Sequence, residues 1–140
     1  MKILGRHLIA EYADCTGGKL DDPEFIERSL LEAVRRSGAT IVNSVFHRYA
    51  PQGVSGVVVI AESHMSIHTW PEYNYAAVDF FTCGQAVDPY LANEYLRKAL
   101  GSANATVTEM PRGIPSASDE ILDHKSTESD RANRTASATG

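Results

Sequence analysis

From Pro23 to Arg36 the apolar residues fall at Phe25, Ile26, Leu30, Ala33 and Val34, the one-sided spacing of an amphipathic helix. Asp21-Asp22-Pro23-Glu24 gives it an N-cap, a proline at the first helical position and an early acid, and Gly38 follows Arg35-Arg36 at its far end. The same grammar recurs from Asp88-Pro89 to Lys98-Ala99-Leu100-Gly101, with Leu91, Tyr95, Leu96 and Ala99 expected to face inward. Segments 3–12, 40–49, 54–61, 64–70, 75–82 and 104–110 are rich in β-branched or aromatic residues and read as strands. Ala50-Pro51-Gln52-Gly53 is a turn signal that makes 40–49 and 54–61 a hairpin, and Pro71-Glu72-Tyr73-Asn74 interrupts the next pair. The order βαββββαβ with short connections predicts an α+β fold, an antiparallel sheet with two helices packed on one face in two layers. The other face then needs a partner.

The pattern stops near Pro115. Residues 115–140 contain only Ile121 and Leu122 as sizeable apolar side chains, so they are expected to form a disordered C-terminal tail after a domain spanning 1–114. The 140 residues, 43% hydrophobic and 22% charged, suit one globular domain. A net charge of -5 argues against a nucleic-acid or anionic-membrane partner, since both need a basic face. No apolar run approaches the ~20 residues of a membrane span. Charge enters the first seven residues too early for a signal peptide, and two cysteines, Cys15 and Cys83, make no disulfide framework. A cytoplasmic protein is expected.

Candidate chemistry concentrates in Ala61-Glu62-Ser63-His64-Met65-Ser66-Ile67-His68-Thr69-Trp70-Pro71-Glu72, followed by Cys83-Gly84. His64 and His68 with Glu62 suggest metal ligands, but an i, i+4 pair converges on a helix and this segment reads as strand. Ser63 with a histidine and a carboxylate suggests a hydrolase triad, but the glycines of a nucleophile elbow are absent. The plain alternative is a strand with satisfied histidines. In a strand, Ser66, His68 and Trp70 share one face and Ile67 and Thr69 the other, which leaves His68 on a polar face where a base can act. Unaided, these residues outline a site around Ser63, His68 and Cys83 whose chemistry stays open.

The run ESHMSIHTWPEYNYAAVDFFTCG, residues 62–84, resembles the processing and active-site segment of the S-adenosylmethionine decarboxylase proenzymes of bacteria and archaea. Leu4–His7, Gly38–Val42, Ser44–Arg48, Gly53–Val57 and Glu109–Ile114 extend the resemblance over residues 1–114. It implies a self-processing, pyruvoyl-dependent decarboxylase that makes decarboxylated S-adenosylmethionine and CO2 for spermidine synthesis. In such enzymes the Ser63 hydroxyl attacks the Glu62 carbonyl to give an ester. A base at His68 removes the Ser63 α-proton, Glu62 leaves as a carboxylate, and residue 63 becomes the pyruvoyl group, giving chains 1–62 and 63–140. Ser55 matches a residue that hydrogen-bonds the processing intermediate, and Cys83 matches the acid that reprotonates the substrate. No metal is called for.

The chemical logic holds without the family name. Decarboxylation leaves an electron pair on the α-carbon, and a carbonyl condensed with the substrate amine absorbs it. By resemblance Glu72 accepts hydrogen bonds from the ribose, while Phe46, Tyr49 and Trp70 offer aromatic faces for adenine and the sulfonium. Tyr49 stands where phenylalanine is common in the family, and Asn74 where glycine is common. The resemblance further implies a homodimer with its sites at or near the subunit interface. Two other readings remain at this point: a pyruvoyl decarboxylase of arginine or ornithine, and a processing-defective regulatory subunit.

Overall fold

Asp22 sets the start of α1 (Pro23–Arg36), its carboxylate accepting the backbone N–H groups of Glu24 and Phe25 at 3.1 and 3.2 Å. Ile26, Ser29, Leu30, Ala33 and Val34 are buried along it. Asp88 does the same for α2 (Pro89–Ala99) through the Tyr90 N–H at 3.0 Å. The buried stripe of α2 is Pro89, Ala92 and Leu96, and Leu91, expected to face inward, is 47% exposed. One position of helix is a 100° turn, and the stripe that meets the sheet runs through Ala92 instead. A computed structural model describes residues 3–114 and Ile121.

Six strands complete the chain: β1 (Gly5–Cys15), β2 (Ile41–Arg48), β3 (Val54–Ile60), β4 (Ser63–Trp70), β5 (Tyr75–Cys83) and β6 (Ser102–Arg112). They form one antiparallel sheet in the order β2-β3-β4-β5-β1-β6. The expected element order is therefore observed, as is the α+β class. β1 and β6 run longer than their sequence patterns suggest, because they pair with each other from Gly5↔Arg112 to Cys15↔Ser102. α1 lies over β2, β3 and β4, and α2 over β5, β1 and β6, so both cover the same face.

Strand alternation decides what that face buries. Leu8, Ala10 and Tyr12 of β1, Met65 and Ile67 of β4, and Ala76, Val78 and Phe80 of β5 join the helix stripes in one core. The intervening positions point to the uncovered face. There the chain places His7, Ser55, His64, Ser66, His68 and Asp79 among Val57, Val59, Trp70, Tyr75 and Phe81. That face is mixed rather than uniformly apolar.

The tail expected over 115–140 lies outside the described residues except for Ile121. Ile121 forms a parallel bridge with Ile3, and its carbonyl accepts from Gln85 Nε2 at 3.1 Å. Among the described residues no helix is long and apolar enough to cross a membrane.

Candidate active site

β3 and β4 are joined by Ala61-Glu62, with Ile60 paired to Ser63 across the turn. Three hydrogen bonds fix this turn. Ala61 N–H donates to the Thr40 carbonyl at 2.9 Å, Thr40 N–H donates to the Glu62 carboxylate at 3.2 Å, and Cys83 N–H donates to the Glu62 carbonyl at 2.8 Å. The last of these polarises the carbonyl that precedes Ser63. Ser63 itself has φ +142°, a region that favours glycine. Such a conformation costs on the order of 1–3 kcal/mol and persists only where neighbours enforce it.

Cys83 ends β5 one register position beyond Thr82, the partner of Ser63. Its thiol is half-buried, and burial pushes its pKa up, which keeps it protonated. Gly5 lies against it: a Cβ there would stand 2.6 Å from the Thr82 carbonyl oxygen and 3.1 Å from Cys83 Sγ. Glu62, Ser63 and Cys83 thus come together at one end of the uncovered face.

Ser55 and His68 come together at the other end. They are register partners on β3 and β4, and Ser55 Oγ lies 2.8 Å from His68 Nδ1. Trp70 follows on the same face, edge-on to Tyr75 at 6.0 Å. Glu72 occupies the 3₁₀ turn Pro71–Tyr73 and accepts from Gln52 Nε2 at 2.5 Å. Tyr49 is 47% exposed beside the His47 ring. Asn74 has φ 52° and ψ 42°, the left-handed conformation that explains a preference for glycine and that asparagine tolerates.

One sequence expectation changes. Phe46 does not join this group: it lies on the helix side of the sheet, packed on the core and over Gly56, where a Cβ would approach its ring to 2.1 Å. Strand parity explains this, since Phe46 and Gly56 are register partners and both point inward. Within one chain His68 does not reach Ser63, as a site at a subunit interface allows. Five residues of strand, at ~3.3 Å each, put their backbones about 16 Å apart. The same rise puts His64 and His68 about 13 Å apart, too far to share a metal with Glu62.

A third group was missed by sequence reasoning. Asp79 Oδ2 meets His7 Nε2 at 2.6 Å and His64 Nε2 at 3.1 Å, and Asp79 Oδ1 accepts from Ser66 Oγ. His7 also receives Arg112 Nη1 on its Nδ1 at 2.7 Å and stacks on Phe81 at 5.0 Å. Burial pushes the Asp79 pKa up, but the hydrogen bonds from Ser66 and His7 and the nearby His64 outweigh it and hold the carboxyl below its ordinary value. His7, His64 and Asp79 offer ligand atoms within 4.8 Å of one another, a set that could hold a cation. The signal in the sequence was Asp79 itself, the one charge inside a strand that otherwise reads YAAV and FFTC.

Comparison with known proteins bears on these groupings. A family model described as S-adenosylmethionine decarboxylase matches residues 6–113. The S-adenosylmethionine decarboxylase proenzyme of Thermosipho melanesiensis is 61% identical over 113 residues, covering 81% of this chain and 87% of its own. The proenzyme of Fervidobacterium nodosum is 54% identical over 138 residues, covering 94% of this chain and 98% of its own, so the likeness extends into the 115–140 segment. The crystal structure of the adenosylmethionine decarboxylase of Aquifex aeolicus superposes with a TM-score of 0.77 at 35% identity, over 86% of this chain and 99% of that one. With the fold, the strained Ser63 beside a polarised carbonyl and the sequence likeness all agreeing, the chain belongs to the S-adenosylmethionine decarboxylase family.

Proposed function

We propose that this chain cuts itself between Glu62 and Ser63, carries a pyruvoyl group at residue 63, and decarboxylates S-adenosylmethionine as a homodimer. The observation that carries the proposal is the Glu62–Ser63 junction. Its carbonyl already accepts a hydrogen bond from Cys83 N–H, and its serine sits in a backbone conformation that L-residues avoid. Conversion of the Ser63 α-carbon to a planar centre removes the Cβ geometry that makes φ +142° costly. The residues present therefore fit the group they are proposed to generate.

The pyruvoyl group supplies the electron sink that no ordinary side chain offers. The chain's own residues do the rest. Cys83, kept protonated by burial, holds the proton that returns to the substrate α-carbon. Glu72, already accepting one hydrogen bond, has carboxylate capacity left for ribose hydroxyls, and Trp70 and Tyr49 present exposed rings at the same end of the sheet. The Ser55–His68 pair is the base of processing.

That base acts on the partner chain. Both half-sites lie on the uncovered face, Ser63 and Cys83 at one end, Ser55 and His68 at the other. A second copy related by a two-fold axis through that face would set each half-site against its complement and give two whole sites. Val45, Val59, Trp70 and Met110, all exposed in the single chain, would be covered by the same contact.

The test offers the purified protein carboxyl-labelled S-adenosylmethionine, arginine and ornithine in parallel and measures labelled CO2. Release from S-adenosylmethionine alone is expected, together with fragments 1–62 and 63–140 by denaturing mass spectrometry. An uncut chain, or release from arginine or ornithine instead, overturns the proposal.

A further inference from the structure

Opening the Glu62–Ser63 peptide needs two proton transfers from Ser63 at different atoms. The hydroxyl proton must leave before the oxygen can attack, and the α-proton must leave later. His68 is proposed above for the second. Within the same chain the hydroxyl is hydrogen-bonded to another histidine. Ser63 Oγ lies 3.4 Å from His64 Nδ1, and His64 Nε2 lies 3.1 Å from Asp79 Oδ2.

The surrounding hydrogen bonds fix the proton positions. The Arg112 guanidinium only donates, so His7 Nδ1 accepts and His7 Nε2 carries the hydrogen that it gives to Asp79. Asp79 is ionised and only accepts. His64 Nε2 therefore also carries a hydrogen, and the lone pair of the neutral ring sits on Nδ1, facing Ser63 Oγ. Ser66 occupies the other Asp79 oxygen and stops the carboxylate from turning away. The Asp79 carboxylate, 3.1 Å from His64 Nε2, offsets the charge that the ring carries briefly, in the single chain and under a partner alike.

We propose that His64 is the base that takes the Ser63 hydroxyl proton when the Glu62–Ser63 peptide rearranges to an ester, with Asp79, His7 and Ser66 as positioning residues. The inference rests on the reading that the chain cuts itself there. As the Ser63 O–H bond breaks, its proton passes to His64 Nδ1 and Oγ bonds to the Glu62 carbonyl carbon. The carbonyl electron pair moves to the oxygen that faces Cys83 N–H, 2.8 Å away in the ground state. When the pair returns, the C–N bond breaks and the His64 proton goes to the departing Ser63 nitrogen. The product is an ester with a free amine, and His64 is neutral again. No co-reactant is needed.

The test follows the full chain made by cell-free synthesis, with the parent, Ser63→Ala, His64→Gln and His64→Ala compared for the rate at which fragments 1–62 and 63–140 form. His64→Gln keeps a donor for Asp79 but has no basic nitrogen. Both His64 variants should cut about 10²–10⁴-fold more slowly than the parent, and added imidazole should speed His64→Ala. Cutting of either variant within threefold of the parent overturns the proposal. A second measurement uses the parent alone and so does not depend on how the variants fold. Its cutting should slow in deuterium oxide, because the proton that moves from the Ser63 hydroxyl to His64 Nδ1 is the exchangeable one, and a rate unchanged by deuterium overturns the proposal. If the parent itself stays uncut, as Ser63→Ala must, the self-cleavage reading fails instead.

Discussion

Co-expression of two inactive variants tests whether Ser63 and His68 work across subunits. Within one chain their backbones are about 16 Å apart along β4. A base must come within ~2.6–3.2 Å of the proton it takes, or act through one water. No side-chain rotation closes that gap, so a Ser63→Ala chain and a His68→Ala chain should each fail alone. Paired together, they place an intact Ser63 half-site from the second against an intact His68 half-site from the first. The complementary position in the same dimer lacks both groups and is dead. With equal expression and random pairing, half the dimers are mixed and each has one working site of two, giving about a quarter of parent activity. About half of the His68→Ala chains should be cut, and none of the Ser63→Ala chains. Distinct affinity tags on the two chains allow the fragments to be assigned on a denaturing gel. If the His68→Ala chain is cut when expressed alone, the base acts within one chain and the two-copy site is wrong. If it stays uncut beside its complement while the parent is cut, the two half-sites do not face each other.

Three further outcomes follow from particular contacts. Cys83→Ala should still cut itself, because its backbone N–H is retained, but should lose about 10²–10⁴-fold in release of CO2 from labelled S-adenosylmethionine. Gly5→Ala should lower the melting temperature and disturb Cys83, since the added methyl meets a backbone oxygen, that of Thr82, at 2.6 Å; an unchanged melting curve would show that β1 and β5 separate more easily than their register implies. The lowered pKa of Asp79 means that its stabilising contribution is complete above the unfolded value of ~3.9 and is lost as pH falls through the folded one. Melting curves between pH 7 and 2 should therefore show a steeper acid loss in the parent than in Asp79→Asn.

Most of the architecture was legible because period and punctuation agreed. Asp22-Pro23 and Asp88-Pro89 mark helix starts by a local mechanism, and both carboxylates cap as expected. Strand alternation likewise separates Ile67 and Thr69 from Ser66, His68 and Trp70, and the structure buries the first pair together with Met65. What sequence could not supply was register. Whether Phe46 faces the site or the core depends on its pairing with Gly56, ten positions away. Asp79 gains meaning only because β5 lies between β4 and β1, which brings His64 and His7 to the same oxygen. The Ser63–His68 separation was in principle readable, since five residues of strand have a fixed length.

The mixed character of the uncovered face bears on why one surface can serve for both catalysis and assembly. An apolar face would drive association but offer no chemistry, and isolated charges covered by a partner would cost several kcal/mol each. Here the charged groups Asp79 and Arg112 already have partners within the chain. Asp79 is satisfied by Ser66, His7 and His64, and Arg112 by His7 and the Phe81 ring. Covering such a cluster removes water without orphaning a charge, so the neighbouring Val45, Val57 and Val59 can add apolar burial. Among the described residues, catalytic groups that remain underused in one chain are the Ser63 hydroxyl, with a single long hydrogen bond to His64, and the His68 imidazole, bonded through one nitrogen to Ser55. Those are the groups that the opposite half-site must reach, while Asp79, His7, Ser66 and Arg112 can be buried at little cost.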